Sequence, residues 1–294
     1  MHRLGPRNNH RRFVLAAAIF IAALVASGAA GVHAAAAAKC KPLHPKINDY
    51  LIKAGTLTTI GEELPPWYTI TNGKLSGYDG DLMVAIAGLE CLKLNAQEVD
   101  AVGVIPTIAS NRADIGGGNW YRTLTHAKVV YYTNPTHTDR MAIVSKDGVD
   151  TIDGLQGRKI GNLLGDTWTA DVTAILGSSN VINYPSNQAI YQDMSAGRLD
   201  TSLFAYNGTS WYMHQPGSLI AGFQIKPVKP DPRVGVTLQP SQSGLMFAHN
   251  KSGLGLIFDQ DLNYLKKRGA FVKFAKQEGL PVTMTQTGPP AWQP

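Results

Sequence analysis

The chain has 294 residues, a formal net charge of +6, 44% hydrophobic and 16% charged residues, and 2 cysteines. This is too apolar and too weakly charged for a disordered chain, and long enough for one large or two medium domains with real cores. Arg3, Arg7, Arg11 and Arg12 fall before residue 35 with no acidic residue among them, so the remainder carries only +2; it keeps no basic tract, which argues against a nucleic-acid partner.

In chain order, the basic head is followed by an apolar run over 13–26 and then by small residues leading to Val32-His33-Ala34. Positive start, short apolar middle and small-x-small exit describe a secretory signal peptide over 1–34. The run is shorter than the ~20 residues of a comfortable membrane span, so cleavage and a periplasmic mature protein are expected; a retained N-terminal anchor is the alternative. Residues 35–48 are alanine-rich, then polar with two prolines, and read as a tail. Leu57-Thr58-Thr59-Ile60 is a strand candidate, and 61–66 is a loop rich in turn formers. Leu82, Ile86 and Leu89 recur at helical spacing, predicting a helix over 81–93 that Asp79 or Asp81 can cap. A second helix is expected over 102–110, and Asp114-Ile115-Gly116 starts a short strand running into glycines.

Strands are expected over 129–132, 141–144, 158–162, 200–204 and 244–248, with helical segments over 151–157, 165–176 and 191–196 between them. Phe258, Leu262 and Leu265 mark a late helix, and another follows over 271–277. Lys266-Lys267-Arg268 closes the former, where cations suit the helix dipole. Alternating strands and helices give an α/β layered fold. For an exported chain, the even cysteine count permits a disulfide, and a Cys40–Cys91 bond would staple the tail to the first domain. Lipid attachment at Cys40 is a rival, weakened by Lys39 where a small residue is wanted. Cysteine and histidine spacings show no zinc motif, and there is no nucleophile elbow or phosphate loop. No metal, cofactor or catalytic residue is expected.

Several short segments together resemble one family. They are Gly55-Thr56-Leu57 with Pro65-Pro66-Trp67; Gly77-Tyr78-Asp79-Gly80-Asp81-Leu82; Ile105-Pro106-Thr107 followed by Asn111-Arg112-Ala113-Asp114; Ala127-Lys128-Val129-Val130 with Thr133-Asn134-Pro135; Leu155-Gln156-Gly157-Arg158-Lys159-Ile160-Gly161; and Ala196-Gly197-Arg198-Leu199-Asp200. In this order, over residues ~50–280, they resemble the bacterial extracellular solute-binding proteins of the polar amino-acid type, family 3, which serve ABC importers. The resemblance implies an α/β fold of the two-lobe periplasmic binding protein kind, its lobes joined by two hinge strands. The first lobe would be discontinuous, 45–141 plus 245–294, and the second would be 142–244. Ligands of open α/β sheets sit beyond the carboxyl ends of the strands, and hinge closure around a ligand is a standard transition.

The site departs from what the resemblance implies. Where relatives carry the arginine that grips an amino-acid carboxylate, this chain has His126, and Arg122 is the nearest guanidinium. Where a threonine follows the glycine opening a second-lobe helix, the run is Gly165-Asp166-Thr167, and Ala205 stands where relatives place the ammonium-binding aspartate. Neutral imidazole cannot copy a guanidinium fork. The loops facing the cleft offer Glu63, Trp67, Tyr68, Asn119, Trp120, Tyr121, Trp168 and Phe204. Aromatic faces beside carboxylates suit an organic cation or a flat aromatic solute. The expectation is therefore a monomeric periplasmic protein that captures a small polar, cationic or aromatic solute, not a standard free α-amino acid, and passes it to a membrane ABC permease. The alternatives are a dehydratase-like enzyme using Glu62, Glu63 or Asp166 as acid, and a ligand-presenting sensor protein.

Overall fold

The computed structural model describes residues 40–293; the signal-peptide reading of 1–34 lies outside the described residues. Among those described, no helix is long and apolar enough to cross a membrane. The chain first lays down β1 (Thr56–Gly61), the hairpin β2 (Thr69–Thr71) and β3 (Lys74–Ser76), α1 (Tyr78–Leu89), β4 (Lys93–Glu98), α2 (Ala101–Ala109), β5 (Ile115–Gly116) and β6 (Val130–Tyr132). A linking strand, β7 (His137–Asp139), leads into β8 (Met141–Ser145), β9 (Ile160–Leu163), α3 (Thr169–Leu176), β10 (Val181–Tyr184), α4 (Asn187–Ser195), β11 (Thr201–Ala205), α5 (Tyr206–Met213) and β12 (Gln224–Pro227). A second linking strand, β13 (Ser241–Ser243), returns to β14 (Met246–Ala248), α6 (Ser252–Lys267) and α7 (Ala270–Gln277).

These strands form two five-stranded sheets of matching pattern, in orders β4-β1-β5-β14-β6 and β10-β9-β11-β8-β12. In the first, β4, β1 and β5 run parallel and β14 antiparallel to its neighbours. In the second, β10, β9 and β11 run parallel and β8 antiparallel to β11 and β12. The chain passes between the two lobes through β7 and β13, which pair with each other, His137 opposite Ser243 and Asp139 opposite Ser241.

Strand side chains alternate between faces, and each sheet is covered on both. Leu57 of β1 packs with Leu82, Met83 and Ile86 of α1, while Ile60 packs with Val104 and Ile108 of α2. In the second lobe Ile143 and Leu203 join Val172 and Leu176 of α3, and their neighbours Val144 and Phe204 join Ile190 and Met194 of α4. Burial on both faces explains why β8 reads as a near-continuous apolar run.

Two expectations change. Helix α1 begins at Tyr78, and neither Asp79 nor Asp81 caps it. Asp79 is buried and its Oδ2 instead accepts the backbone N–H groups of Gly118 and Asn119, each at 2.9 Å, fixing the loop after β5. Residues 40–48, read as tail, stay mostly exposed but are anchored: Ile47 is fully buried, the Leu43 N–H donates to Leu89 O, and the expected Cys40–Cys91 bond is formed. The bond closes a loop of sequence separation 51, long enough for its constraint on the unfolded chain to count. Replacing both cysteines with serine is expected to lower stability by about 2–4 kcal/mol, read as an earlier urea midpoint.

Candidate functional site

The ends of the linking strands are joined by a buried polar knot. The Asn119 Nδ2 donates to Asp139 Oδ2 at 3.0 Å, while its Oδ1 accepts from His137 Nε2 at 2.8 Å and Ser243 Oγ at 3.0 Å. Asp139 Oδ1 accepts the N–H groups of Arg140 at 2.7 Å and Asn207 at 2.9 Å, the latter at the start of α5. Burial holds His137 down at about 4 and pushes Asp139 up to about 7, partly opposed by the N–H donors. The imidazole is thus neutral, its Nε2–H committed to Asn119 and its Nδ1 3.0 Å from the Thr136 hydroxyl. Asn119 adopts φ +62°, a left-handed conformation that asparagine tolerates better than most residues.

This knot sits under a cavity of about 90 Å³ between the two sheets. The first lobe contributes Glu62, Leu64, Ala101 and the run Gly118-Asn119-Trp120-Tyr121 with His126; the second contributes Leu163 to Trp168, Asn187, Phe204 and Ala205. Both sides are ends of strands or the loops that follow: β1 precedes Glu62, β5 precedes Gly118, β9 precedes Leu164, and β11 ends at Ala205. This is where open α/β sheets place ligands.

The predicted residues divide accordingly. Asn119, Trp120, Tyr121, His126, Asp166, Thr167, Trp168, Phe204 and Ala205 line the cavity. Glu63, Trp67, Tyr68 and Arg122 do not. Glu63 is exposed and accepts the Ile70 N–H at 3.2 Å, bracing the β2 hairpin, while Glu62 faces the cavity in its place. Tyr68 is core: its hydroxyl donates to Gln97 O at 2.8 Å, and its ring lies where a Cβ on Gly61 would be. Trp67 is buried and stacks on His137 with ring centroids 4.5 Å apart. Its indole also meets the second lobe, since a Cβ added at Gly208 of α5 would stand 2.5 Å from Trp67 Nε1. The helix expected to open at Gly165 starts at Thr169, so Asp166 and Thr167 lie in the turn before it.

Arg122 turns away from the cavity. It is 4% exposed, donates to the carbonyls of Thr133 and Ala291, and lies 4.4 Å over the Trp292 ring. The C-terminal segment holds this geometry, because the Gln293 N–H donates to Arg122 O at 2.9 Å and the Leu124 N–H donates to Gln293 O.

The cavity is acidic. Burial, then the charges of Asp100 and Glu98, push Glu62 up to about 7. Burial, then the charge of Glu62, holds Asp166 well above the usual carboxylate range. Each lobe thus brings one carboxyl group to the same space. His126, kept low by burial, is a neutral ring whose Nδ1 lies 3.1 Å from Tyr121 O. The same Nδ1 lies 3.1 Å from the Tyr132 hydroxyl, so a carbonyl and a hydroxyl hold this side of the ring. The Tyr121 hydroxyl and Thr167 Oγ1 are buried without a partner. Trp168 packs edge-on to Tyr121 at 6.2 Å and donates its N–H to Asn162 Oδ1 at 2.9 Å. The arrangement offers negative charge, aromatic faces and neutral hydrogen-bonding edges. Sequence reasoning passed over Glu62 as a ligand contact because it flanks Glu63 in a loop without periodicity; only the end of β1 decides which of the two turns inward.

The family model described as bacterial extracellular solute-binding proteins, family 3, matches residues 56–278. The lysine/arginine/ornithine-binding periplasmic protein of Escherichia coli (strain K12) is 23% identical over 211 residues, 70% of this chain and 79% of its own. Among solved structures, an ancestral arginine-binding protein bound to arginine aligns with TM-score 0.65 and 26% identity over 76% of this chain and 97% of its own. A substrate-binding protein of an ABC uptake transporter from Streptococcus pneumoniae, with bound histidine, shares the fold at TM-score 0.67 and 17% identity, over 76% and 92% of the two chains.

Two outcomes follow from the geometry. Arg122→Lys, which loses the planar fork and its stacking, is expected to cost about 2–3 kcal/mol of stability while cleft affinity stays within about twofold, read by urea melts and calorimetric titration. Gly208→Ala presses a methyl into Trp67, so the variant is expected to favour separated lobes and lose roughly tenfold in ligand affinity; small-angle scattering should show a larger radius of gyration.

Proposed function

Because the chain belongs to the bacterial extracellular solute-binding proteins of family 3, we propose that it captures a small organic cation between its lobes and delivers it to an ABC importer, a free α-amino acid not being its preferred ligand. The observation that carries this reading is the facing pair Glu62 and Asp166, at a cavity whose described lining holds no lysine or arginine. A ligand carboxylate entering here would lose its water and meet two acidic groups without a cationic partner, a costly burial. An ammonium or quaternary amine meets the opposite situation. Its charge is drawn by both carboxyl groups, and the rings of Trp120, Tyr121 and Trp168 offer electron-rich faces. The ligand's polar edges have the free hydroxyls of Tyr121 and Thr167.

The relatives support the cationic half of this reading. Two of them are a lysine/arginine/ornithine-binding periplasmic protein and an arginine-binding protein bound to arginine. The carboxylate half lacks its partner here, since Arg122 is held by Thr133, Ala291 and Trp292. The protein works as a periplasmic monomer in this reading, recognition being its whole chemistry and the shift toward closed lobes its signal. Presentation of the same ligand to a sensor would use the same cleft. The raised carboxyl groups favour a proton donor as the one enzymatic alternative, but a cyclic acid substrate would again find no counter-ion.

A thermal-shift panel of quaternary amines, polyamines, aromatic acids and amino acids tests the assignment, since a ligand of the folded state raises Tm. The largest rise is expected from an amine without a carboxylate. A largest rise from glutamine, histidine or arginine refutes the ligand class, and turnover of an added cyclic acid moves the case to an enzyme. The pH dependence has a definite sign. Glu62 is neutral below about 7 and charged above it, so affinity for the cation should climb roughly tenfold between pH 6 and 8. Titration calorimetry should show this climb flattened in Glu62→Gln.

A further inference from the structure

A second group of ionisable side chains lies in the first lobe, outside the cavity. His44 comes from the N-terminal segment four residues after Cys40, Glu90 from the end of α1 beside Cys91, and Asp261 from the middle of α6. One ligating atom from each lies within 4.8 Å of the other two. His44 Nδ1 stands 2.7 Å from Glu90 Oε1 and 3.3 Å from Asp261 Oδ1. Asp261 is fully buried, and neither of its carboxylate oxygens receives a hydrogen bond. Glu90 is 1% exposed and is steadied by the His44 backbone N–H at 3.0 and 3.2 Å.

The other face of the ring decides what belongs between these atoms. His44 Nε2 lies 2.7 Å from Gln260 Oε1, an acceptor, so Nε2 carries the hydrogen. In the neutral ring Nδ1 therefore offers a lone pair toward two carboxylates, and three acceptors converge with no donor between them. Without a metal, protons fill this space. The pKa of His44 is raised, its burial outweighed by Glu90 and Asp261. That of Asp261 is pushed up to about 7 by burial and then by the Glu90 charge, and its proton makes a hydrogen bond between the two carboxyl groups. A divalent cation balances both carboxylates and uses all three acceptors. The hydrogen bond from the far ring nitrogen is the usual support of a metal-bound histidine, fixing tautomer and ring orientation. The 3.3 Å separation of Nδ1 from Asp261 Oδ1 matches the edge of a tetrahedron with bonds of 2.0–2.1 Å, about 3.3 Å, while the 2.7 Å between Nδ1 and Glu90 Oε1 is a hydrogen-bond distance that opens by about 0.6 Å when a cation takes the place of the proton.

We propose that His44, Glu90 and Asp261 form a structural site for a divalent cation of the zinc type, clasping the N-terminal segment to α6 beside the Cys40–Cys91 bond. One imidazole and two carboxylates suit a first-row cation better than calcium or magnesium, which favour all-oxygen shells. With His44 partly exposed, the fourth position is open to water from that side. The sequence shows no such site because its ligands are 46 and 171 positions apart along the chain, in no metal-binding spacing.

The test uses the purified full chain, free of any polyhistidine tag, and its His44→Gln and Asp261→Asn variants. Zinc sulfate at a hundredfold excess over Kd is expected to raise Tm by about 5–10 °C, with one zinc bound per chain by equilibrium dialysis. Both variants should lose the rise and the bound zinc while keeping the circular dichroism and the single cooperative thermal transition of the unaltered chain in chelator, which shows that they fold. No bound zinc in the unaltered chain, a rise that survives in either variant, or an equal response to calcium or magnesium overturns the assignment.

Discussion

The side chain of Asn119 holds the site together. Its one amide bonds to His137 and Asp139 on one linking strand and to Ser243 on the other, while Asp139 in turn holds the first turn of α5 through Asn207. Both linking strands are three residues long and polar, so apolar burial alone cannot keep them paired. What keeps them paired is that these buried groups find partners only in this arrangement, and leaving one unmet costs about 1–3 kcal/mol. The next residues along, Trp120 and Tyr121, reach the cavity because Asn119 is anchored there. The same knot stacks Trp67 on His137 and brings it against Gly208 of the opposite lobe.

The acidity of the cleft goes with the absence of lysine and arginine from its described lining. A guanidinium near Glu62 and Asp166 would neutralise them and draw their protons off at lower pH. Arg122 instead spends its donors on backbone carbonyls and lies over Trp292, so the carboxyl groups keep only each other and their burial. Ala205, in the place where the resemblance implies an aspartate, lines the same cavity. The acidic groups of the pocket are thus Glu62 and Asp166, one from each lobe.

Much of this was legible in the sequence. The helical spacing of Leu82 and Ile86 and the apolar run of β8 report burial directly, so α1 and β8 were foreseen within a few residues. Strands β4, β10 and β12 escaped notice because they are sheet edges with polar, half-exposed faces. Helix α5, Tyr206–Met213, escaped because aromatic, serine and threonine residues are weak helix formers. At the site, motif order brought His126, Asp166 and Trp168 to the cleft. It could not tell Glu62 from Glu63, nor an aromatic that faces ligand from one that faces core, as Trp67 and Tyr68 do. Those choices are made by contacts with residues far along the chain, and no local pattern encodes them.

The returning strand β14 also sets the order in which the protein can be assembled. It lies between β5 and β6 in the first sheet, so β6, made more than a hundred residues earlier, has no neighbour to pair with until residues 246–248 arrive. The second sheet is built wholly from residues 141–227 and needs no such late arrival. The lobe that begins first is therefore the one that finishes last, its closure waiting on long-range pairings that form slowly. A chain emerging from its N-terminus stays incomplete in that lobe until nearly all of it has been delivered.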